Sequence, residues 1–321
     1  MIDSVTVRAP ARLHLGFLDM NGGLGRRFGS LGLAIDAYEM RITARRAAEM
    51  SVHGREADRV RRVLAQLSSS IGSSSCAIAI ESAIPAHTGL GSGTQLALGI
   101  TAALHHLVGC SGDLSQFAAL TQRGARSGAG IGLFAAGGFV VDGGHGQTAA
   151  VPPIIARAAF PEAWRIILVS DPSQQGISGA DEVDAFAALP QFSASSAGEI
   201  CRHVLMQVLP ALAETEFESF GAGISAIQAI VGDYFAPVQG GSRFKSRAVE
   251  ALLHDLAASG ATGIGQTSWG PTGFAFAPSA DIAETLLAEV SSKAADRHLD
   301  IRLCKALNRG ATIEENTPAR A

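Results

Sequence analysis

The stretch IPAHTGLGSGTQLALGI, residues 84–100, constrains this chain more than any other. An alternating apolar run, SCAIAIESAI, ends at Pro85; Gly89, Gly91 and Gly93 follow, with hydroxyls on Ser92 and Thr94. GTQLALGITAALHHLVG then reads as a helix closed by Gly109. Glycines allow tight turns and close backbone approach. A helix starting on such a loop aims its unbonded N–H groups and positive dipole end at whatever lies there, which makes an anion site. No lysine follows the last glycine, so this is not a Walker loop, and GLGSG has the wrong spacing for the dinucleotide fingerprint. A bare strand-to-helix turn would use the same glycines, so phosphate binding needs support from the rest of the chain.

The 321 residues suggest two domains, and with 47% hydrophobic and 17% charged residues they can bury a large core. A net charge of -4 argues against a nucleic-acid partner but leaves room for a local cationic pocket. Cys76, Cys110, Cys201 and Cys304 are scattered without a CxxC pair, as expected for buried thiols in a reducing cytoplasm. MIDSVTVRAP is no signal peptide, and no apolar run is long enough to read as a membrane span.

Either side of the loop the rhythm changes. SVTVRA reads as a strand, LGLAIDAYEMRITARRA as two strand-like runs, and READRVRRVLAQLSSSI as a helix with Val60, Val63, Leu64 and Leu67 on one face. Asp113 is placed to cap DLSQFAALTQRG, and GGFVVDGG is a short buried strand. AVPPII is the boundary, dividing the chain into 1–153 and 154–321. Beyond it come the strands WRIILVS, TGFAFA and LDIRLCKA among five helical segments, with a polar tail, NRGATIEENTPARA, read as frayed. Few strands separated by helices make an α+β fold.

PAHTGLGSGTQLALG resembles the second motif of the GHMP kinase superfamily, VRAPARLHLGFLD its first, and GQTSWGPTGFAF occupies the place of its third. The resemblance runs in order over nearly the whole chain. It implies a ribosomal-protein-like N-terminal domain and a ferredoxin-like C-terminal domain. Two departures argue against phosphoryl transfer. Where superfamily kinases carry a catalytic aspartate, this chain has Gly130, which can neither accept a proton nor hold magnesium. Where they have consecutive glycines, it has Gln266, Ser268 and Trp269.

With ARLHLGFLDMNG and RGARSGAGIGLFAAGGFVVDGG, these departures resemble the beta-ribofuranosylaminobenzene 5'-phosphate synthase family. That resemblance implies phosphoribosyl pyrophosphate and para-aminobenzoate or para-hydroxybenzoate as substrates. The products are a C-riboside 5'-phosphate, carbon dioxide and pyrophosphate, in tetrahydromethanopterin biosynthesis. No organic cofactor is needed, because the para substituent feeds electrons into the ring. A cytoplasmic homodimer is the family expectation. Loop residues Gly89, Leu90, Gly91, Ser92, Gly93 and Thr94, with Arg126, are expected on phosphate or pyrophosphate. Arg12, Arg26 and Arg123 fall inside family-like motifs and are expected at the reaction centre, their planar forks suited to phosphate.

His14 alternates with Leu13 and Leu15 and shares a strand face with Arg12, a placement suited to a carboxylate or phosphate. Gln266, Ser268 and Trp269 are expected on the aromatic substrate, the indole by stacking. Mg²⁺ is expected with the pyrophosphate, largely hydrated, with Asp19 beside it. Gln175, Ser178 and Glu182 are further candidates, Glu182 equally a first-turn helix residue; Asp142 reads as a strand-end turn residue. Arg45, Arg46, Arg61 and Arg62 read as solvated surface. The rival readings are an ATP-dependent small-molecule kinase, supported by the GLGS core, and a non-catalytic sensor on the same fold.

Overall fold

The computed structural model describes residues 2–54, 56–71, 75–109, 112–147, 151–177 and 179–317. The chain opens with two long antiparallel strands, β1 (Ser4–Asp19) and β2 (Phe28–Arg46). The two runs expected in the second region are one strand interrupted by a bulge: Pro10 pairs Glu39 while the next residue, Ala11, pairs Ile35. Asp36 to Tyr38 are thrown out of the ladder there, which breaks the alternation and bends the strand.

β3 (Ser51–His53), α1 (Ala57–Ile71), β4 (Cys76–Ser82) and α2 (Ser92–Val108) follow. Next come α3 (Leu114–Leu120), α4 (Ala129–Ala136), β5 (Phe139–Asp142) and β6 (Ile154–Ala158). Asp113 caps α3 as expected, with Gln116 completing a capping box. These strands and a late one, β11 (Thr312–Asn316), form a seven-stranded sheet in the order β11-β1-β2-β4-β3, with β5 on β2 and β6 on β5. Helix α2 lies against β1 and β2, buried on nearly every side; a Cβ at Gly99 would stand 2.6 Å from Ile42 Cδ1, so glycine permits the approach without moving that side chain.

The second half holds β7 (Arg165–Ser170), α5 (Ala180–Ala188) and α6 (Ala194–His203). A π-helical turn, Val204–Val208, leads into α7 (Leu209–Glu214), followed by α8 (Phe217–Phe235) and α9 (Arg247–Ala258). β8 (Thr262–Gln266), β9 (Gly273–Ala277), α10 (Ala280–Asp296) and β10 (Asp300–Cys304) complete it. Its sheet is four-stranded and antiparallel, in the order β10-β7-β9-β8. Strand period 2 sends β7's side chains to two cores. Ile167 and Val169 face Leu252, Leu256, Leu286 and Val290 of α9 and α10; Ile166 and Leu168 join the main core with Phe220 and Phe276. Each fully buried aliphatic or aromatic side chain contributes roughly 1.5–3 kcal/mol. The main core is continuous through both halves.

Two expectations are corrected. The sheets do not divide at 153/154, because β6 belongs to the first sheet and β11 returns to it, pairing Ser4–Arg8 with Thr312–Asn316. The tail is therefore not frayed as far as Asn316: it is an edge strand. Cys76 and Cys304 are buried thiols, as expected, while Cys110 lies outside the described residues. No helix among the described residues is long and apolar enough to cross a membrane.

Candidate active site

The glycine-rich loop runs into α2 with Gly91 as its left-handed N-cap, φ 85°. Two of its glycines are obligatory for position as well as for φ. A Cβ on Gly89 would fall 2.3 Å from Thr267 O, and one on Gly91 2.7 Å from Arg12 Cγ. Loop, strand β1 and the 267–270 turn are thus pressed together. The segment after β7 joins them: Gly176 N–H donates to His87 O at 2.8 Å, and a Cβ there would meet Gly270 O at 2.0 Å. These three loops and one face of α1 enclose a cavity of about 460 Å³.

Four arginines line it: Arg12, Arg59, Arg62 and Arg123. Arg12 is half-buried with its Nε sealed from solvent, its Nη1 donates to Gly89 O at 3.0 Å, and burial pulls its pKa down to about 10 against the opposing pull of Glu182. It stays a cation at neutral pH. Arg123 is lowered too, by burial first and by neighbouring Arg59 second. Arg59 is held by Glu56 at 2.6 Å and donates to Ser92 Oγ at 3.2 Å. The Nε atoms of Arg12 and Arg123 are buried without a partner among the described residues. Mutually repelling, partly desolvated cations over a helix N-terminus suit a polyanion that makes their charge-assisted bonds.

The sequence pattern does not single out Arg59, and it reads Arg62 as solvated surface. Arg59, Arg62, Val63 and Gln66 all line the cavity at helical spacing, i, i+3, i+4 and i+7. That stripe, beside the apolar face of Val60 and Leu67, is the signal that identifies them.

The opposite wall is aromatic. Trp269 lines the cavity but is only 3% exposed, 4.3 Å from the Phe235 ring and edge-on to Phe186 at 5.3 Å. Its indole N–H donates to Glu182 Oε1 at 2.9 Å. The indole expected to stack on the substrate does line the cavity, and neighbouring rings cover most of it and hold it in place. Glu182 Oε2 meets Arg126 at 2.6 Å, whose guanidinium lies 5.2 Å over Phe186. Arg126 does not line the cavity; it reaches it through Glu182.

Other expected residues stand elsewhere. Leu90 is a buried anchor, contributing its carbonyl to Arg12 N–H at 3.1 Å. Gln266 accepts from Lys245 N–H at 2.6 Å and donates to Gln239 at 2.9 Å, supporting the turn from behind rather than facing substrate. Ser268 does line the cavity. Arg26 donates to Gly143 O and Gly144 O, both at 2.7 Å, fastening an exposed loop outside the cavity. Asp19 closes a turn, its Oδ1 accepting from Asn21 and Gly22 N–H, because an aspartate followed by polar and glycine residues captures its own downstream amides.

The metal role expected of Asp19 is not supported by that placement, and no group of three His, Cys, Asp or Glu among the described residues is placed to hold a metal ion. His14 is also corrected. It is 3% exposed, and burial, then the charge of Arg12, drive its pKa to about 3, so it is a neutral imidazole. Its main chain ties β1 to the 267–270 turn through Thr267 Oγ1 at 2.9 Å. Gln175 does not line the cavity, and Ser178 lies outside the described residues.

Asp142 does more than end a strand. Fully buried, it accepts from Ser30 Oγ, from Gly128 and Ala129 N–H at 2.9 and 3.1 Å, and from Gly144 N–H at 2.9 Å. It thereby caps α4, which carries Gly130. A Cβ on Gly130 would stand 3.1 Å from Thr94 Cγ2, against the first turn of α2.

Fold and loop together define a GHMP-type protein. Residues 58–138 match the GHMP kinases N terminal domain and 208–296 the GHMP kinases C terminal domain. A homoserine kinase from Cytophaga hutchinsonii superposes with a TM-score of 0.68 at 16% identity, over 98% of each chain. Within that class the chain belongs to the beta-ribofuranosylphenol 5'-phosphate synthase family. It is 32% identical over 96% of its length to the synthase of Archaeoglobus fulgidus, covering 99% of that protein. It is 28% identical to that of Methanothermobacter thermautotrophicus over 84% of its length and 88% of the relative's.

Proposed function

We propose that this chain condenses phosphoribosyl pyrophosphate with a para-substituted benzoate, releasing pyrophosphate and carbon dioxide and forming a C-riboside 5'-phosphate for tetrahydromethanopterin biosynthesis. Its relatives are named for a phenol product, which results when the acceptor is para-hydroxybenzoate. That acceptor is preferred over para-aminobenzoate. The observation that carries the reading is the four-arginine cavity on a phosphate loop with Gly130 beside it. The cations serve a departing polyanion, and no carboxylate stands at Gly130 to deprotonate an acceptor hydroxyl.

Pyrophosphate leaves the anomeric carbon as the α2 amides, Arg12, Arg59, Arg62 and Arg123 take up its charge. The ring carbon bearing the carboxylate attacks the oxocarbenium-like centre. Carbon dioxide departs, and its bonding pair restores aromaticity. The fixed aromatic wall limits water at the reactive carbon. Mg²⁺ comes with pyrophosphate as a largely hydrated counter-ion, a role that needs few protein ligands.

Carboxyl-labelled para-hydroxybenzoate, Mg²⁺ and the ribosyl donor are incubated with the purified protein, with a parallel reaction holding ATP instead. Labelled carbon dioxide released only with the ribosyl donor is the expected result. No release in either reaction, with nucleotide bound, returns the loop to a kinase or sensor role.

A further inference from the structure

A carboxylate in a cavity built for anions needs a reason. Glu182 is the one acid among the described residues lining a cavity with four arginines. In the reaction proposed above both substrates arrive as anions, which Glu182 repels. Its side chain is 20% exposed, so it is not sealed into the wall. Oε1 receives the Trp269 indole N–H and Oε2 the Arg126 guanidinium, yet each carboxylate oxygen can accept a second hydrogen bond. It stands where the cationic half of the cavity meets the indole of Trp269, which Phe186 backs edge-on from outside the cavity. The complementary ligand there is a hydroxyl on an aromatic ring.

Resting on that reaction, we infer that Glu182 receives the para-hydroxyl of the acceptor and takes its proton as the ring attacks. The ring carbon bonds to the anomeric carbon while the anomeric C–O bond breaks, its electron pair leaving with pyrophosphate. The hydroxyl proton passes to Glu182, and the ring becomes a cyclohexadienone that still carries its carboxylate. The carbon–carboxylate bond then breaks, carbon dioxide leaves, the electron pair restores the aromatic ring, and Glu182 returns the proton to the phenolate oxygen. The hydroxyl becomes strongly acidic only as the ring gives up its electrons, so the carboxylate paired with Arg126 is base enough to take its proton. A para-amino nitrogen carries that positive charge without losing a proton, and so depends on the base far less.

Glu182→Gln separates the possibilities, since glutamine keeps an oxygen for Trp269. Turnover of para-hydroxybenzoate and para-aminobenzoate is measured for both proteins. The expected result is a fall in kcat on the hydroxy acid about 100-fold or more greater than on the amino acid, in the usual range of about 10²–10⁴ for a general base. Equal losses on the two acceptors leave Glu182 as a positioning residue for Trp269 and Arg126 and overturn the assignment, as does no loss on either. Wild-type protein that converts neither acceptor overturns the reaction itself, and shows this before any variant is made.

Discussion

At the residue scale, the cavity's chemistry rests on charge that the backbone holds in place. Arg59 and Arg62 project from α1, while Arg12 and Arg123 come from β1 and the segment before α4. If all four take up the leaving group, Arg62→Ala should raise KM for the ribosyl donor, and Arg59→Ala should do so more, because it also frees Ser92 and Glu56. Charge-assisted bonds contribute about 1.5–3 kcal/mol, so a loss of roughly 10–100-fold in kcat/KM is expected. Wild-type kinetics in both variants would remove α1 from the site.

His14 supplies a second residue-scale prediction, in stability. In the folded chain it resists protonation until about pH 3, whereas an exposed imidazole takes its proton near 6.5. Between those values the unfolded chain binds more protons, so stability falls as pH drops from 6.5 toward 3. Each unit of that window costs about 1.4 kcal/mol. Urea midpoints of wild type and His14→Gln, compared from pH 7 to pH 4.5, should show a steeper fall for wild type. Parallel curves would mean the imidazole is not held neutral.

At the element scale, the first turn of α4 depends on one buried acid. Asp142 supplies acceptors only, facing three amides and a hydroxyl. Asparagine turns half of that group into a donor and leaves at least one amide unmet, so Asp142→Asn should destabilise by about 2–4 kcal/mol. Calorimetry should show the melting point several degrees lower; an unchanged value would refute the cap.

The same acid marks where sequence stops being legible. The glycine loop, Gly109, Asp113 and most helices were readable because each carries its own local chemistry. Local pattern could not say that Asp142 reaches across to α4, that Trp269 meets Phe235, or which face of α1 turns inward. Motif membership drew Arg26 and Asp19 into the site, but a motif marks a segment and not where its side chains point: one fastens a loop and the other closes a turn.

At the scale of the whole molecule, neither half is complete alone. The phosphate loop belongs to the first, while Glu182, Trp269 and the turn that presses on Gly89 belong to the second. The chain also returns: β11 covers Ser4–Arg8 of β1, whose inward residues Val5 and Val7 are fully buried. Without β11, β1 becomes an open edge with unpaired N–H and C=O groups, which invites association between copies. A chain ending at Ala311 should therefore melt several degrees lower and aggregate on concentration, while the full chain does not. It should also bind pyrophosphate more weakly in titration calorimetry, because Arg12 lies on that same strand. Full stability and full affinity in the shortened chain would show that the first sheet closes without its last strand, and that the site draws only on the loops around it.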